Sequence, residues 1–315
     1  MLLWSGPGRH SAGVLRMVRR LAAMGALAVA ATPLSGLAEP YVMDRTDVRD
    51  MMSQDGAHYR IFIHRPKEPA PEPGYPVLYL LDGEDSFPVA AQTSERMARF
   101  GGDEGYRGVL VVAIGYPSGD STLHRAFDYT PVCSAEVDPR GRRTGGADVF
   151  RRFLENTLKP AIGVEFSVDH DRETIWGHSY GGLFVIDTLL QYPDLFDSYA
   201  ASSPAIWLAD EVIEAGFDGL ADRLEVSGPR VVALSVGERE QELLEANGMG
   251  PAALAQNERI KLNRMVDRTR ELAQHLSTFG NLTVQQRVSS GEDHAAIALS
   301  GIGMAVQLAT GKTLP

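Results

Sequence analysis

Gly177-His178-Ser179-Tyr180-Gly181-Gly182 is the stretch on which the reading of this chain turns. It fits G-x-S-x-G, a sharp turn from strand to helix that holds a serine hydroxyl at the head of a sheet. Side chains at positions 177 and 181 would collide across so tight a turn, and glycine stands at both. Thr174-Ile175-Trp176 before it reads as the end of a strand, and Leu183, Val185, Ile186, Leu189 and Leu190 after it share the face of an apolar helix. The Ser179 hydroxyl would then stand at the positive end of that helix.

Outward from this turn, the pattern is one of strands alternating with helices. Tyr59 to His64 alternates as a half-buried strand does, and Pro66 to Pro76 carries five prolines and reads as an exposed connection. Val77 to Leu81, Val109 to Ile114 and Val231 to Val236 are continuous apolar runs, as in strands covered on both faces, and Leu282-Thr283-Val284 continues the series. Phe150, Phe153, Leu154, Leu158 and Ile162 recur at helical spacing. Residues Ala255 to Leu276 read as one long charged helix, and Ala295 to Leu308 as a last apolar one. The fold class expected is α/β, with a mostly parallel central sheet and helices on both faces. Asp210 to Ser227 and Glu242 to Asn257 read as insertions or cap segments.

The 315 residues suit one large α/β domain, here taken as 39–315. A hydrophobic share of 44% supports a sizeable core, and a net charge of −11 argues against a nucleic-acid partner. Cys133 is the only cysteine, so no disulfide forms within the chain. Residues 1–38 read as a secretory signal: Arg9, Arg16, Arg19 and Arg20, an apolar run from Leu21 to Ala31, then Gly36-Leu37-Ala38 at the cleavage position. The apolar run is short for a membrane span. The expected location is periplasmic or secreted, with no membrane span once the signal is removed.

A serine hydroxyl is a weak nucleophile until a base takes its proton. His294, on the glycine-opened loop Gly291-Glu292-Asp293-His294 after the last strand, is the expected base. His58, His64 and His124 come too early, His178 lies inside the turn, His275 on the outer face of a helix, and His170 in a turn. The orienting carboxylate should follow the strand ending at Val236. Glu240 is chosen there over Glu238, and a Ser–His pair without an acid is the remaining alternative. The oxyanion donors expected are the N–H groups of Tyr180, next to the serine, and of Glu84, in Leu81-Asp82-Gly83-Glu84. No ligand spacing for a metal is present, and no cofactor is implied.

Taken together, Tyr79-Leu80-Leu81-Asp82-Gly83, Gly177 to Gly182, Ser203-Pro204-Ala205-Ile206-Trp207 and Gly291 to His294 resemble the esterase family of α/β-hydrolases that includes enterochelin-esterase-like siderophore hydrolases and mycolyltransferases. Arg125 to Pro131 and Gly145 to Asp148 are most similar to the periplasmic trilactone hydrolases. The resemblance implies a Ser179–His294 pair more firmly than it implies Glu240. It does not carry a substrate with it. From the residues, Arg125, Tyr129 and Trp207 are the expected substrate contacts, in an aromatic wall suited to partly anionic rings, although any one aromatic could instead be ordinary packing under a loop and Arg125 could pair with Asp128. Arg140, Arg142 and Arg143 read first as a solvated loop, the alternative being a local basic patch that could offset the acidic net charge.

The function expected is an exported serine esterase acting on a small-molecule ester, of the siderophore trilactone type. The alternatives are an acyltransferase of the mycolyltransferase or diacylglycerol acyltransferase type, a general carboxylesterase, and a non-catalytic siderophore binder. Oligomeric state is left open by the sequence.

Overall fold

Leu110–Gly115 is buried at every residue, and Tyr75–Leu80 at all but its first. Such strands need cover on both faces, and the sheet supplies it. The computed structural model describes residues 40–101, 108–117, 121–245 and 250–311, without the side chains of 121–123. The chain divides after Val42, and the unit Met43–Pro315 is the one described below. The segment expected as a signal, 1–38, lies outside the described residues.

Among the described residues, eight strands form one sheet in the order β1-β2-β4-β3-β5-β6-β7-β8. They are β1 (Thr46–Met52), β2 (His58–His64), β3 (Tyr75–Leu80), β4 (Leu110–Gly115), β5 (Val168–His178), β6 (Ser198–Ser202), β7 (Arg230–Gly237) and β8 (Leu282–Ser289). The β1–β2 and β2–β4 pairs are antiparallel, and every other pair is parallel. The helices are α1 (Gly83–Phe100), α2 (Ser121–Asp128), α3 (Ala147–Phe153), α4 (Lys159–Glu165), α5 (Tyr180–Gln191), α6 (Asp210–Gly216), α7 (Leu220–Ser227), α8 (Pro251–Asn263), α9 (Met265–Leu276) and α10 (Ala296–Ala309). The fold is the mostly parallel α/β-hydrolase sandwich expected. No helix among the described residues is long and apolar enough to cross a membrane.

The period-2 pleat splits the apolar runs between two cores. Val77, Tyr79 and Leu81 pack with Phe150 of α3, Leu183 of α5 and Leu272 of α9 on one face. Leu78 and Leu80 pack with Phe87 of α1 and Ile302 of α10 on the other. Each fully buried Leu or Phe in these layers stabilises the fold by about 1.5–3 kcal/mol.

Three local readings are corrected, and one strand was not read. The long helix expected over 255–276 is two, α8 and α9, broken at Arg264, whose φ of 45° is left-handed. The 150–162 pattern is helical but changes pitch through a π turn at Leu154–Leu158. His170 lies within β5, not in a turn. The edge strand β1 was not legible, because its residues are mostly exposed and only pairing with β2 defines it.

Strand order places the site. β3 leads through α1 to β4 on one side, whereas β5 pairs with β3 on the other. The carboxyl ends of β3 and β5 therefore flank a crevice at the switch in chain direction, where parallel sheets bind ligands. The loops after β3, β5, β6, β7 and β8 all open on this edge.

Candidate active site

Ser179 sits between β5 and α5 with φ 60° and ψ −113°, a backbone conformation that L-residues seldom adopt. Its N–H donates to the Ser202 carbonyl (3.0 Å), and its carbonyl accepts the N–H groups of Leu183 (2.9 Å) and Ala205 (3.0 Å). The strain is held by these bonds and by close backbone packing. A Cβ on Gly177 would lie 2.3 Å from the Gly181 carbonyl oxygen, so only glycine fits there. The side chain of Ser179 lines a cleft of about 700 Å³ together with Trp207, Glu240, Met265 and His294. Ser179 and His294 also line a second, smaller cleft of about 370 Å³ with Glu84, Arg125, Arg140, Trp176 and Ile302. The two residues thus stand where the two clefts meet.

Glu240 belongs to the 3₁₀ turn Glu238–Gln241 that follows β7. Its Oε2 lies 2.6 Å from Nδ1 of His294, and its side chain is 1% exposed against 48% for the histidine. The other oxygen, Oε1, accepts the Gly237 N–H (2.8 Å) and the Ser203 hydroxyl. Burial works to raise the Glu240 carboxyl. The hydrogen bonds and charge of His294, with the donors from Ser203 and Gly237, outweigh it and hold the group below its ordinary range. Because an ionised carboxylate only accepts, Nδ1 carries the imidazole proton, and the lone pair of Nε2 is left free to take another.

Glu238, the alternative acid, does something else. Its Oε2 accepts the Ser290 hydroxyl (2.7 Å) and the Gly291 N–H (3.1 Å), which braces the loop that carries His294. Gly237 makes this approach possible: a Cβ there would lie 2.5 Å from the Glu292 carbonyl oxygen. The Arg239 N–H donates to that same carbonyl (3.0 Å). Three consecutive residues after β7 therefore hold the histidine loop.

His178 is the other imidazole near the serine. Its ring centroid lies 4.5 Å from that of His294. Burial first, and then the neighbouring His294, push its pKa down to about 3. It is neutral across the physiological range and is no rival base. Its Nε2 is buried with no hydrogen-bond partner among the described residues.

Tyr180 is the first residue of α5 and Glu84 the second of α1. First-turn N–H groups have no intrahelical acceptor, so both are available as donors. Tyr180 is tied down by its hydroxyl, which donates to Asp138 Oδ2 (3.1 Å). Glu84 turns its carboxylate away to accept the Tyr116 N–H (2.5 Å).

The expected substrate contacts divide. Trp207 lines the larger cleft beside Ser179. Tyr129 does not touch either cleft; it is fully buried, and its hydroxyl accepts the Asp82 N–H (3.2 Å). The reading of Tyr129 as a substrate contact is therefore corrected to a brace under the β3 loop. Arg125 lines the smaller cleft, but its charge is committed. It makes a two-pronged pair with Asp82 (2.7 and 2.9 Å), not Asp128, and lies 5.5 Å from the ring centroids of both Tyr129 and Tyr180. Asp82, with φ 53°, was missed from sequence, because no local signal shows which arginine it meets.

Residues 53–295 match the family described as "Putative esterase". The ferri-bacillibactin esterase BesA of Bacillus subtilis is 32% identical over 274 residues, covering 83% of this chain and 88% of that protein. The siderophore enterobactin esterase of Emericella nidulans is 33% identical over 242 residues, covering 71% of this chain and 79% of that protein. Among solved structures, the siderophore hydrolase EstA of Aspergillus nidulans superposes with a TM-score of 0.76 at 27% identity, covering 87% of this chain and 97% of that chain.

Proposed function

The chain belongs to the esterase family and is a carboxylic ester hydrolase, and from that premise we propose that it is an exported serine esterase that opens siderophore-type trilactones. The observation that carries the serine mechanism is the meeting of three chain-distant groups in one cleft: Ser179 on its strained turn, His294, and the buried Glu240 bonded to the histidine.

In this mechanism Ser179 Oγ attacks the ester carbonyl carbon while Nε2 of His294 accepts its proton. The carbonyl oxygen gains the negative charge, and the N–H groups of Tyr180 and Glu84 receive it at the amino ends of α5 and α1. The intermediate collapses, the carbon–oxygen bond to the alcohol breaks, and His294 returns the proton to the departing alkoxide. Water, deprotonated by the same nitrogen, then attacks the acyl-serine and releases the acid. Glu240 keeps the imidazole in the one useful tautomer and stabilises its charged form.

The siderophore reading is supported by the named activities of the two relatives and by the cleft itself. Arg142 pairs with Asp138 and Arg143 lies over the Phe127 ring. Arg140 lines the smaller cleft, and among the described residues its guanidinium has no acidic partner. A cation lining the same cleft as Ser179 suits an ester with an anionic ring or carboxylate, despite the net charge of −11. Export to the periplasm or out of the cell is supported by the signal-like layout of residues 1–38.

The test is mass spectrometry of products from a catecholate trilactone, iron-free and ferric, beside p-nitrophenyl acetate. The wild type should give ring-opened acids, and Ser179→Ala should lose at least about 10⁴-fold in kcat on every substrate while folding normally. Turnover by Ser179→Ala would refute the serine mechanism. Cleavage of the aryl ester with an untouched trilactone would refute the substrate class.

A further inference from the structure

We infer that Ser203 is a positioning residue that locks the carboxylate of Glu240 for His294, an inference that rests on the serine-esterase reading above. Ser203 is the first residue after β6 and is fully buried. Its φ is 45°, in the left-handed region that glycine or asparagine fills far more readily than serine. Pro204 follows it, and a proline pushes the preceding residue toward extended backbone. Both effects disfavour what is seen, so the surrounding structure must impose it.

The constraint comes from three sides. The Ser203 N–H donates to the Ser235 carbonyl on β7 (2.7 Å). Two residues on, the Ala205 N–H donates to the Ser179 carbonyl (3.0 Å). Between them, Pro204 lies against the helix of the serine turn; a Cβ on Gly182 would be 2.9 Å from the Pro204 Cα. In this conformation the Ser203 hydroxyl donates to Oε1 of Glu240.

The carboxylate is therefore divided. Oε1 takes two donors, from Ser203 and Gly237, and Oε2 is left to face Nδ1 of His294. Two fixed donors on one oxygen set the plane of the carboxylate, and the plane aims the other oxygen. Gly237 holds Glu240 from its own turn, three residues away. Ser203 alone ties it to the segment that also fixes the Ser179 carbonyl. One short stretch, Ser203 to Ala205, thus couples the acid to the nucleophile. The strained serine is explained by its hydroxyl: glycine would relieve the backbone but could not donate.

That contrast supplies the test. Ser203→Ala removes the hydroxyl and keeps the strain; Ser203→Gly removes the hydroxyl and relieves the strain. With p-nitrophenyl acetate, both should lower kcat about tenfold with KM within about twofold. In both, the acid limb of kcat/KM should move to higher pH, by about half a unit, because a carboxylate short of one donor holds the imidazolium more tightly. Ser203→Gly should melt no lower than the wild type, which separates the effect from misfolding. Wild-type kcat and an unmoved acid limb in Ser203→Gly would overturn the proposal, whatever Ser203→Ala does. Ser179→Ala, run in parallel, separates the two failures: if it is inactive while Ser203→Gly is normal, only the role of Ser203 falls, and if it is active, the serine mechanism falls and this role with it.

Discussion

Glu240 and His294, 54 positions apart in the chain, meet at 2.6 Å, with the carboxylate sealed from solvent and the imidazole half open to the cleft. The asymmetry suits the tasks proposed for them. An orienting carboxylate works best where water cannot compete for it, whereas a base must reach its substrate. Glu238, two residues earlier, points to the other side of the same turn and braces the histidine loop through Ser290 and Gly291.

The two acids should therefore separate cleanly on mutation. Glu240→Gln keeps the shape but can stabilise the wrong imidazole tautomer, and kcat/KM for p-nitrophenyl acetate should fall about 10³- to 10⁴-fold. Glu238→Gln should cost less than about tenfold, because the carboxylate touches no reacting group. Steady-state kinetics on both variants checks this; equal losses would mean that the acid is shared.

Gly237→Ala tests the packing that brings the acid turn and the histidine loop together. The added methyl group would stand 2.5 Å from the Glu292 carbonyl oxygen and 3.1 Å from that of Asp293. The loop must move to relieve this contact, and His294 moves with it. A loss of about 100-fold in kcat/KM is expected with a folded protein, as a misplacement of about 1 Å commonly costs. Wild-type rates would show that the loop adapts.

His178 makes a prediction about stability rather than rate. Burial, the nearby His294 and Arg125 lower its pKa to about 3, against a smaller opposing effect of Glu240. A histidine held neutral in the fold takes up its proton on unfolding once the pH drops below its ordinary value of 6.5. Its contribution is therefore present at neutral pH and lost as the pH falls from that value toward about 3. Between about pH 7 and pH 4.5, the wild type should lose about 2–3 kcal/mol more unfolding free energy than His178→Gln. Urea unfolding at the two pH values measures the difference, and parallel losses would mean that the imidazole titrates normally in the fold.

Arg140 predicts a preference between substrates. Arg140→Ala should raise KM for p-nitrophenyl hemisuccinate about five- to tenfold, an effect that added salt should mimic in the wild type. KM for the neutral p-nitrophenyl acetate should stay within about twofold. A uniform change in both would assign Arg140 to the shape of the loop rather than to recognition of charge.

Much of this site could be read from linear patterns, because its chemistry depends on backbone that only a few residues tolerate. Gly177 and Gly181 mark the serine turn, the apolar runs mark the central strands, and Gly291 opens the loop of the last histidine. The pairing of side chains was less legible. Tyr129 and Arg125 belong to a motif that suggests a substrate wall, yet one is buried under Asp82 and the other bound to it. Charge and aromaticity in a string say what a side chain can do, not which of several partners packing brings to it. Ser203 stood in a family-like stretch, but nothing there showed its hold on Glu240, since a left-handed serine before a proline runs against local preference.

The linear chain was enough for the alternation of strand and helix, the serine on its turn, and the histidine that follows the last strand, because each is a matter of local spacing and of residues excluded by sterics. The bond of Glu240 to His294, the turning of Glu238 to Ser290 and Gly291, the commitment of Arg125 to Asp82, and the hold of Ser203 on the acid arose only on folding. Those contacts join segments that follow β3, β4, β6, β7 and β8 across a single sheet edge. Their geometry depends on strand order and on which face a short turn presents, and neither is encoded by the residues of any one segment.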